Sequence, residues 1–362
     1  MKLGIVGLPN SGKTTLYNAI MQTGAVASNY PFSTVSPNVG RVPVPDDRLG
    51  KLAEVFKPKQ VTPTAVEMVD IAGLVKGSSK GEGLGNQFLS HIREVDALVH
   101  VVRCFEDENV THVYDSINPI RDVEAVELEL VLADLELVER RHDKVSKMAR
   151  TDRAYKREDE ILTKIKEALE EGKAVRSLTW DDAEDMKIVE SIPLISIKPV
   201  LYAANVSEES LAAADESLKK LSEFVTLQNA KMYVSCAKLE ADVAELEPEE
   251  RELFLKEAGI AENGLARLIR AGHDLLGLIS FFTGGTKEVR AWTIRQGLKA
   301  PQAAGKVHSD MERGFIRAEV IQFDELVSLG SYNTAKEKGM VRIEGKEYVV
   351  KDGDVVLVRF NV

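Results

Sequence analysis

Residues Gly7-Leu8-Pro9-Asn10-Ser11-Gly12-Lys13-Thr14 set two glycines, a lysine and a hydroxyl in the spacing G-x-x-x-x-G-K-[ST]. That spacing suits the grip of a phosphate chain. Glycines let the backbone curl until several N–H groups face one point, and a following helix adds positive potential from its N-terminus. Lys13 offers a point charge to the β and γ oxygens of a triphosphate, and the Thr14 hydroxyl is a Mg²⁺ ligand. Asn10, Ser11, Gly12, Lys13, Thr14 and Thr15 are therefore the candidate phosphate-binding residues. The chemistry expected of them is phosphoanhydride hydrolysis.

Three further boxes fit around this loop. Asp70-Ile71-Ala72-Gly73 follows an apolar stretch, Thr64 to Val69. A carboxylate there can hold Mg²⁺ through water, and the Gly73 N–H can turn toward a γ-phosphate, which makes the segment sensitive to hydrolysis. Thr34, in Asn29-Tyr30-Pro31-Phe32-Ser33-Thr34, is the candidate to complete the Mg²⁺ shell, with Ser33 and Ser36 as alternatives. Asn205-Val206-Ser207-Glu208 stands where a guanine-binding protein shows Asn-Lys-x-Asp, but Val replaces the Lys that lies on the base and Glu replaces the Asp. The extra methylene of Glu208 moves its carboxylate, so the guanine clamp is compromised. Ser235-Cys236-Ala237-Lys238 suits a second base-contacting loop, although alone it would read as a surface turn.

The elements that must position these residues follow a recognisable order. Lys2 to Val6 reads as a strand and Thr14 to Met21 as a helix, with further strands at Thr64–Val69, Ala97–Val102, Pro199–Asn205 and Lys231–Ser235. Apolar strands separated by helices imply an α/β fold with a mostly parallel sheet covered on both faces. Between residues 122 and 195 a charged segment interrupts the sheet. There Val126, Leu130, Ala133 and Leu137, and later Ile161, Ile165 and Leu169, recur at helical spacing and read as the seam of an inserted helical hairpin. From residue 278 short strands at Val289–Thr293, Ile316–Ile321, Tyr348–Val350 and Val355–Phe360, with turn signals at Gly345-Lys346 and Asp352-Gly353, read as a small α+β module. The expected divisions are 1–121 and 196–277 for the nucleotide domain, 122–195 for the arm and 278–362 for the last module.

Composition sets the outer bounds. The 362 residues suffice for two or three cores, and 44% apolar with 29% charged residues is ordinary for a globular chain. No apolar run approaches bilayer length, and Met1 leads directly into a strand, so neither membrane span nor leader is expected. Cys104 and Cys236 are too few for a disulfide framework or metal cluster, which favours the cytoplasm. The net charge of −11 argues against a nucleic-acid-coating protein and gives no sign of DNA specificity. Yet residues 278–362 hold 13 Lys+Arg against 11 Asp+Glu, a mildly basic tail on an acidic body that suits an RNA or ribosome partner.

Taken in order, these boxes resemble the translation-factor class of P-loop GTPases and, within it, the Obg branch. The match narrows to the YchF / Obg-like ATPase family. It is carried by Gly7-Leu8-Pro9-Asn10, by Asp70 to Gly77, by Lys80-Gly81-Glu82-Gly83-Leu84-Gly85-Asn86-Gln87-Phe88, and by Asn205 to Glu208. The stretch from Val289-Arg290-Ala291-Trp292-Thr293 to Lys351-Asp352-Gly353-Asp354 looks like that family's TGS module, so the resemblance covers essentially the whole chain. It implies a G-type domain, an inserted helical arm and a β-grasp TGS domain. It also implies ATP preferred over GTP, with the base held among Asn205, Val206, Glu208, Ser235, Cys236 and Ala237, and in part by backbone at Val206. Ribosome association, through the TGS domain and the arm, follows from it too.

Leu74 occupies the position after Asp-x-x-Gly where Ras-like enzymes carry a water-orienting Gln, and it cannot hydrogen-bond. The resemblance implies a substitute His on the loop after Arg103-Cys104-Phe105-Glu106, which here is His112; a lone loop His would otherwise read as a bystander. His91 competes from an apparent helix and reads as structural. Asn10 is a candidate ligand for a monovalent cation such as K⁺, or simply shapes the loop. The expected catalytic set is thus His112, Lys13 and Gly73, and the expected Mg²⁺ set Thr14, Thr34 and Asp70. Two rival readings remain: a guanine-specific GTPase, and an RNA- or ribosome-binding adaptor in which hydrolysis is incidental.

Overall fold

The chain opens with strand β1 (Lys2–Val6) and helix α1 (Lys13–Ala27), then β2 (Val39–Pro43), α2 (Arg48–Phe56), β3 (Gln60–Thr62), β4 (Ala65–Asp70), α3 (Leu84–Glu94) and β5 (Ala97–Arg103). Helices α4 (Pro119–Ala149), α5 (Lys156–Glu170) and α6 (Ala183–Glu190) come next. They lead into β6 (Val200–Asn205), α7 (Glu208–Ala212), α8 (Glu216–Leu227), β7 (Lys231–Ser235), α9 (Ala237–Glu245), α10 (Pro248–Glu257) and α11 (Gly264–Leu275). The last stretch holds β8 (Leu278–Gly284), β9 (Glu288–Arg295), α12 (Ala300–Val307), α13 (Ser309–Arg313), β10 (Phe315–Gln322), α14 (Phe323–Leu329), α15 (Tyr332–Glu337), β11 (Arg342–Glu344) and β12 (Asp354–Phe360). This computed structural model describes residues 2–27, 39–71, 84–180, 182–212, 216–257 and 264–361. The expectations at Thr34 and Gly73, and at Ser33, Ser36 and Leu74, lie outside them. No described helix is long and apolar enough to cross a membrane.

Two units divide the chain: Met1–Arg41 with Glu67–Leu265, and Val42–Val66 with Ala266–Val362. In the first, a six-stranded sheet runs β2-β4-β1-β5-β6-β7, and β1 pairs in parallel with both β4 and β5. β5 and β6 are buried at every residue, as strands with both faces covered must be. Because β1 is flanked by strands reached through opposite crossovers, its C-terminal end opens on a crevice, and the glycine-rich loop leaves the sheet there.

The helical hairpin is present, but its expected seam divides between two cores. Val126, Leu130 and Ala133 pack with Val200, Tyr202 and other residues of the sheet. The contact with α5 is made by Val131, Val138 and Val145, with Leu137 of the expected seam packed against the same cluster, and by Ile161, Leu162, Ile165 and Leu169. Asn118 caps α4 by accepting from the Arg121 N–H at 3.2 Å, and Pro119 follows in the first turn, where its missing N–H costs nothing. At 31 residues α4 is ~46 Å long at 1.5 Å per residue.

The second unit has a sheet of order β11-β10-β12-β8-β9-β3, with β8–β9 and β10–β12 antiparallel and β12–β8 parallel. Residues 42–66, which sequence reasoning left inside the first nucleotide-domain segment, fold here. β3 extends the sheet by pairing in parallel with β9, Gln60 opposite Glu288, and α2 buries Leu49 and Leu52 among Phe282, Val289, Ala291 and Ile321. Arg48 donates to Asp352 at 2.7 Å and to Asp46 at 2.8 Å. The strand expected at Tyr348–Val350 is only an isolated bridge, Lys299 to Val349, because the ladder beside β10 is taken by β11 instead.

Candidate nucleotide site

The loop between β1 and α1 is built on left-handed backbone. Gly7 has φ +148°, Gly12 +93° and Asn10 +62°, the last a conformation that asparagine tolerates better than most residues. Side chains are also barred by contact: a methyl on Gly7 would strike the Val101 carbonyl, and one on Gly12 the Asn205 side chain. Asn10, Thr14 and Thr15 are exposed, whereas Ser11 and Lys13 are buried. Lys13 Nζ donates to the Leu8 carbonyl at 2.6 Å. Burial pushes its amine down to about 8, against the opposing pull of the Asp70 charge. A loop that desolvates a cation in this way gains by meeting an anion.

Asp70, opposite Ile5 in the β1–β4 ladder, accepts from Thr14 Oγ1 at 3.1 Å. Burial raises its carboxyl, while the Thr14 hydrogen bond and the Lys13 charge pull the other way. A hydroxyl and a carboxylate side by side are hard oxygen donors that fit Mg²⁺. Among the described residues no three His, Cys, Asp or Glu side chains gather into a metal cage. Such an ion would complete its shell with phosphate oxygens and water, as Mg²⁺ commonly does.

The loops expected to hold the base are joined to the glycine-rich loop through one side chain. Asn205 Nδ2 donates to the Ser11 carbonyl at 3.0 Å, and its Oδ1 accepts from the Ala237 N–H at 2.9 Å. Val206 is 2% exposed, its side chain part of the sheet core, and its N–H donates to the Ser235 carbonyl at 2.9 Å. Ser235 and Cys236 are buried. Cys236 precedes the first residue of α9, Ala237, and burial raises its thiol. Glu208 is exposed at the start of α7. These six residues are thus brought together, with Asn205 serving as the brace.

His112 lies close to the loop but is fully engaged. Its Nδ1 accepts from the Tyr114 N–H at 3.1 Å, which leaves Nε2–H to donate to Asp122 Oδ2 at 2.8 Å; the side chain is 5% exposed. Neither nitrogen is open to a water in this arrangement. His91 is exposed in the last turn of α3.

Several contacts around the site, and the residue His100, escaped sequence reasoning. Asn10 Nδ2 donates to the Thr111 carbonyl at 3.1 Å, tying the phosphate loop to the His112 loop. Arg103 organises that second loop by donating to the carbonyls of Phe105, Val110 and Thr111 at 3.2, 3.0 and 3.2 Å. His100, buried in β5 beside the Tyr202 ring at 5.5 Å, is pushed down to about 3 by burial, with Arg176 and Lys13 adding to the effect. The Ser11 hydroxyl is buried without a hydrogen-bond partner among the described residues. Only the Arg-Cys-Phe-Glu segment hinted at any of this, and it did not say that arginine would be the organiser.

Comparison with known proteins places these features in context. Residues 2–134 match the family model MMR_HSR1, described as a 50S ribosome-binding GTPase, and residues 278–361 match YchF-GTPase_C, described as a protein of unknown function (DUF933). The chain is 56% identical to the ribosome-binding ATPase YchF of Bacillus subtilis strain 168, across 99% of each protein. It is 44% identical to Obg-like ATPase 1 of Oryza sativa subsp. japonica, across 100% of this chain and 92% of that one. A solved structure, the YchF GTPase of Schizosaccharomyces pombe, superposes with a TM-score of 0.89 at 36% identity, covering 99% of this chain and 97% of the other.

Proposed function

Because the chain belongs to the YchF family, we propose that it binds Mg-ATP in preference to Mg-GTP, hydrolyses it to ADP and phosphate, and couples that cycle to the ribosome. The observation that carries the base preference is the placement of Val206. Its side chain is buried where a guanine clamp needs a lysine stem, and its N–H is spent on Ser235. The polar group left at that position is a carbonyl, an acceptor. Adenine presents an N6 amino donor to such a group, whereas guanine presents the O6 acceptor, and acceptor against acceptor repels.

Hydrolysis requires water to attack the γ-phosphorus as the bond to the bridging oxygen breaks. Thr14, Asp70 and Thr34 would hold Mg²⁺, which would neutralise charge on the phosphates. Lys13 exchanges the Leu8 carbonyl for phosphate oxygens, and the γ-phosphate contact is assigned to Gly73, which lies outside the described residues. With Leu74 unable to orient the water, His112 takes that role once its bonds to Asp122 and Tyr114 open. Asn10, through its side-chain oxygen, is the residue that would hold K⁺. The two cysteines, Cys104 and Cys236, are both buried, which suits a cytoplasmic site of action. Ribosome contact falls to the TGS module and the arm.

Titrating the protein with Mg-ATP and Mg-GTP side by side tests the reading, with ATP expected at least tenfold tighter. Tighter GTP would favour the second reading, a guanine-specific GTPase, as the name of the S. pombe relative suggests. Introducing Val206→Lys with Glu208→Asp should then change little, whereas in the ATP reading it shifts preference toward GTP.

A further inference from the structure

Two neighbouring residues of one loop are tied to different parts of the nucleotide domain. Thr111 is held by the phosphate loop: its carbonyl and its hydroxyl accept from Asn10 Nδ2 at 3.1 and 3.3 Å. His112, the next residue, is held by α4, its Nε2 lying 2.8 Å from Asp122 Oδ2. Asp122 stands in the first turn of α4, whose later turns run out into the inserted arm.

The Tyr114 N–H meets His112 Nδ1 at 3.1 Å, so Nδ1 carries the lone pair and the ring is the neutral tautomer with its hydrogen on Nε2. The Asp122 carboxylate accepts that hydrogen. Both side chains are 5% exposed, so water does not readily replace either partner. The gap that His112 and Asp122 share with Leu8, Pro9 and Ser11 of the phosphate loop is too small to hold a water molecule. In this arrangement the histidine has nothing to activate.

The carboxylate does not depend on the histidine for its place. Its other oxygen, Oδ1, accepts from Arg121 Nε at 3.0 Å and from Arg121 Nη2 at 2.8 Å. Arg121 also donates to the Ser116 carbonyl at 2.6 Å and to its hydroxyl at 2.9 Å, and lies over the Tyr114 ring, 4.5 Å from its centre. Arg121 thereby makes Tyr114, Ser116 and Asp122 one block with the start of α4. Asn10 and Arg103 hold Thr111 in a second block with the phosphate loop. His112 is the hinge member between the two.

We infer that Asp122 is a positioning residue that latches His112 away from the γ-phosphate, so that this pair sets the basal rate of hydrolysis and a displacement of α4 releases it. Asp122 acts only through the water-orienting role given to His112 above, on which its own role rests. When the ring leaves Asp122, Thr111 stays bound to Asn10, so the histidine is freed beside the phosphate loop rather than carried off from it. The rate scales with the fraction of molecules in which His112 is free, and one hydrogen bond to a charged carboxylate shifts such a fraction by about tenfold or more.

Mg-ATP hydrolysis by the full chain is measured for wild type, Asp122→Asn, Asp122→Ala, His112→Ala and the double variant Asp122→Ala with His112→Ala. Asp122→Asn keeps the shape and one acceptor oxygen but loses the charge, whereas Asp122→Ala removes the acceptor. The kcat is expected to rise in that order, by at least about fivefold in Asp122→Ala, with KM within about twofold of wild type. The double variant is expected to turn over at the His112→Ala rate. Heteronuclear NMR of histidine-labelled protein gives a second readout: the His112 Nε2–H signal is present in the wild type without nucleotide and lost in Asp122→Ala. A kcat unchanged or lower in both Asp122 variants, with nucleotide affinity retained, overturns the latch. So does a rise that persists in the double variant, since it would not pass through His112. Where Asp122→Ala melts too low to assay, Asp122→Asn decides by the same criteria. If His112→Ala hydrolyses at the wild-type rate, the water-orienting reading falls and the latch with it; if His112→Ala is slow and neither Asp122 variant is faster than wild type, only the latch falls.

Discussion

Asn205 holds the main-chain carbonyl of Ser11 by a 3.0 Å hydrogen bond from its side-chain amide, across 194 residues of sequence. The same amide accepts from the Ala237 N–H, so the glycine-rich loop and the turn before α9 share one brace. All four polar groups involved are buried.

Asn205→Ala leaves the Ser11 carbonyl and Ala237 N–H without partners, at a cost of about 1–3 kcal/mol for each orphaned group. The variant is expected to melt several degrees lower and to lose affinity for Mg-ATP and Mg-GTP by the same factor, because the brace carries no base information. Thermal melting with titration of both nucleotides checks this. Loss of one nucleotide alone would make Asn205 a base reader.

His112→Ala is expected to slow ATP hydrolysis roughly a hundredfold, the scale of a lost proton-transfer group, while nucleotide affinity stays within about twofold. Single-turnover hydrolysis with separately measured affinity separates the two. Turnover at the wild-type rate would leave His112 as a buried partner of Asp122 and no more.

His100 governs an acid limb. The folded protein holds it neutral down to about 3, whereas an unfolded histidine takes its proton near 6.5. The unfolded state therefore binds more protons as the pH falls. The contribution is complete above 6.5 and is lost toward 3, at up to about 1.4 kcal/mol per pH unit. His100→Phe keeps an aromatic ring beside Tyr202 without the titration, and its stability is expected to fall less steeply between pH 6.5 and 4. Urea denaturation at several pH values reads this out. Parallel acid limbs would place the proton uptake elsewhere.

The phosphate loop was legible because its chemistry is local: eight consecutive residues carry both the spacing and the backbone freedom. β5 and β6 were legible because a strand covered on both faces is buried at every position and reads as a nearly continuous apolar run. Harder to read was the arm. Val126, Leu130 and Ala133 recur at helical spacing whether they face a second helix or a sheet, and periodicity does not name the partner; α5 turned out to be met by Val131, Val138 and Val145. Residues 42–66 were illegible for a related reason. The pairing that assigns them, Gln60 with Glu288, spans more than two hundred residues. His100 gave no signal at all, since a histidine in an apolar run looks the same whether it titrates or stays neutral.

The excursion of residues 42–66 into the C-terminal unit bears on how this protein can be rearranged. A tail cut at Gly277 and grafted onto a foreign chain leaves behind its edge strand and the helix bearing Leu49 and Leu52, so the transplant arrives with an open sheet edge and an uncovered apolar face. Chimeras between relatives must therefore exchange two separate stretches of gene together. Natural recombination at a single breakpoint near residue 277 meets the same obstacle, so this module and its host are expected to be inherited as a pair.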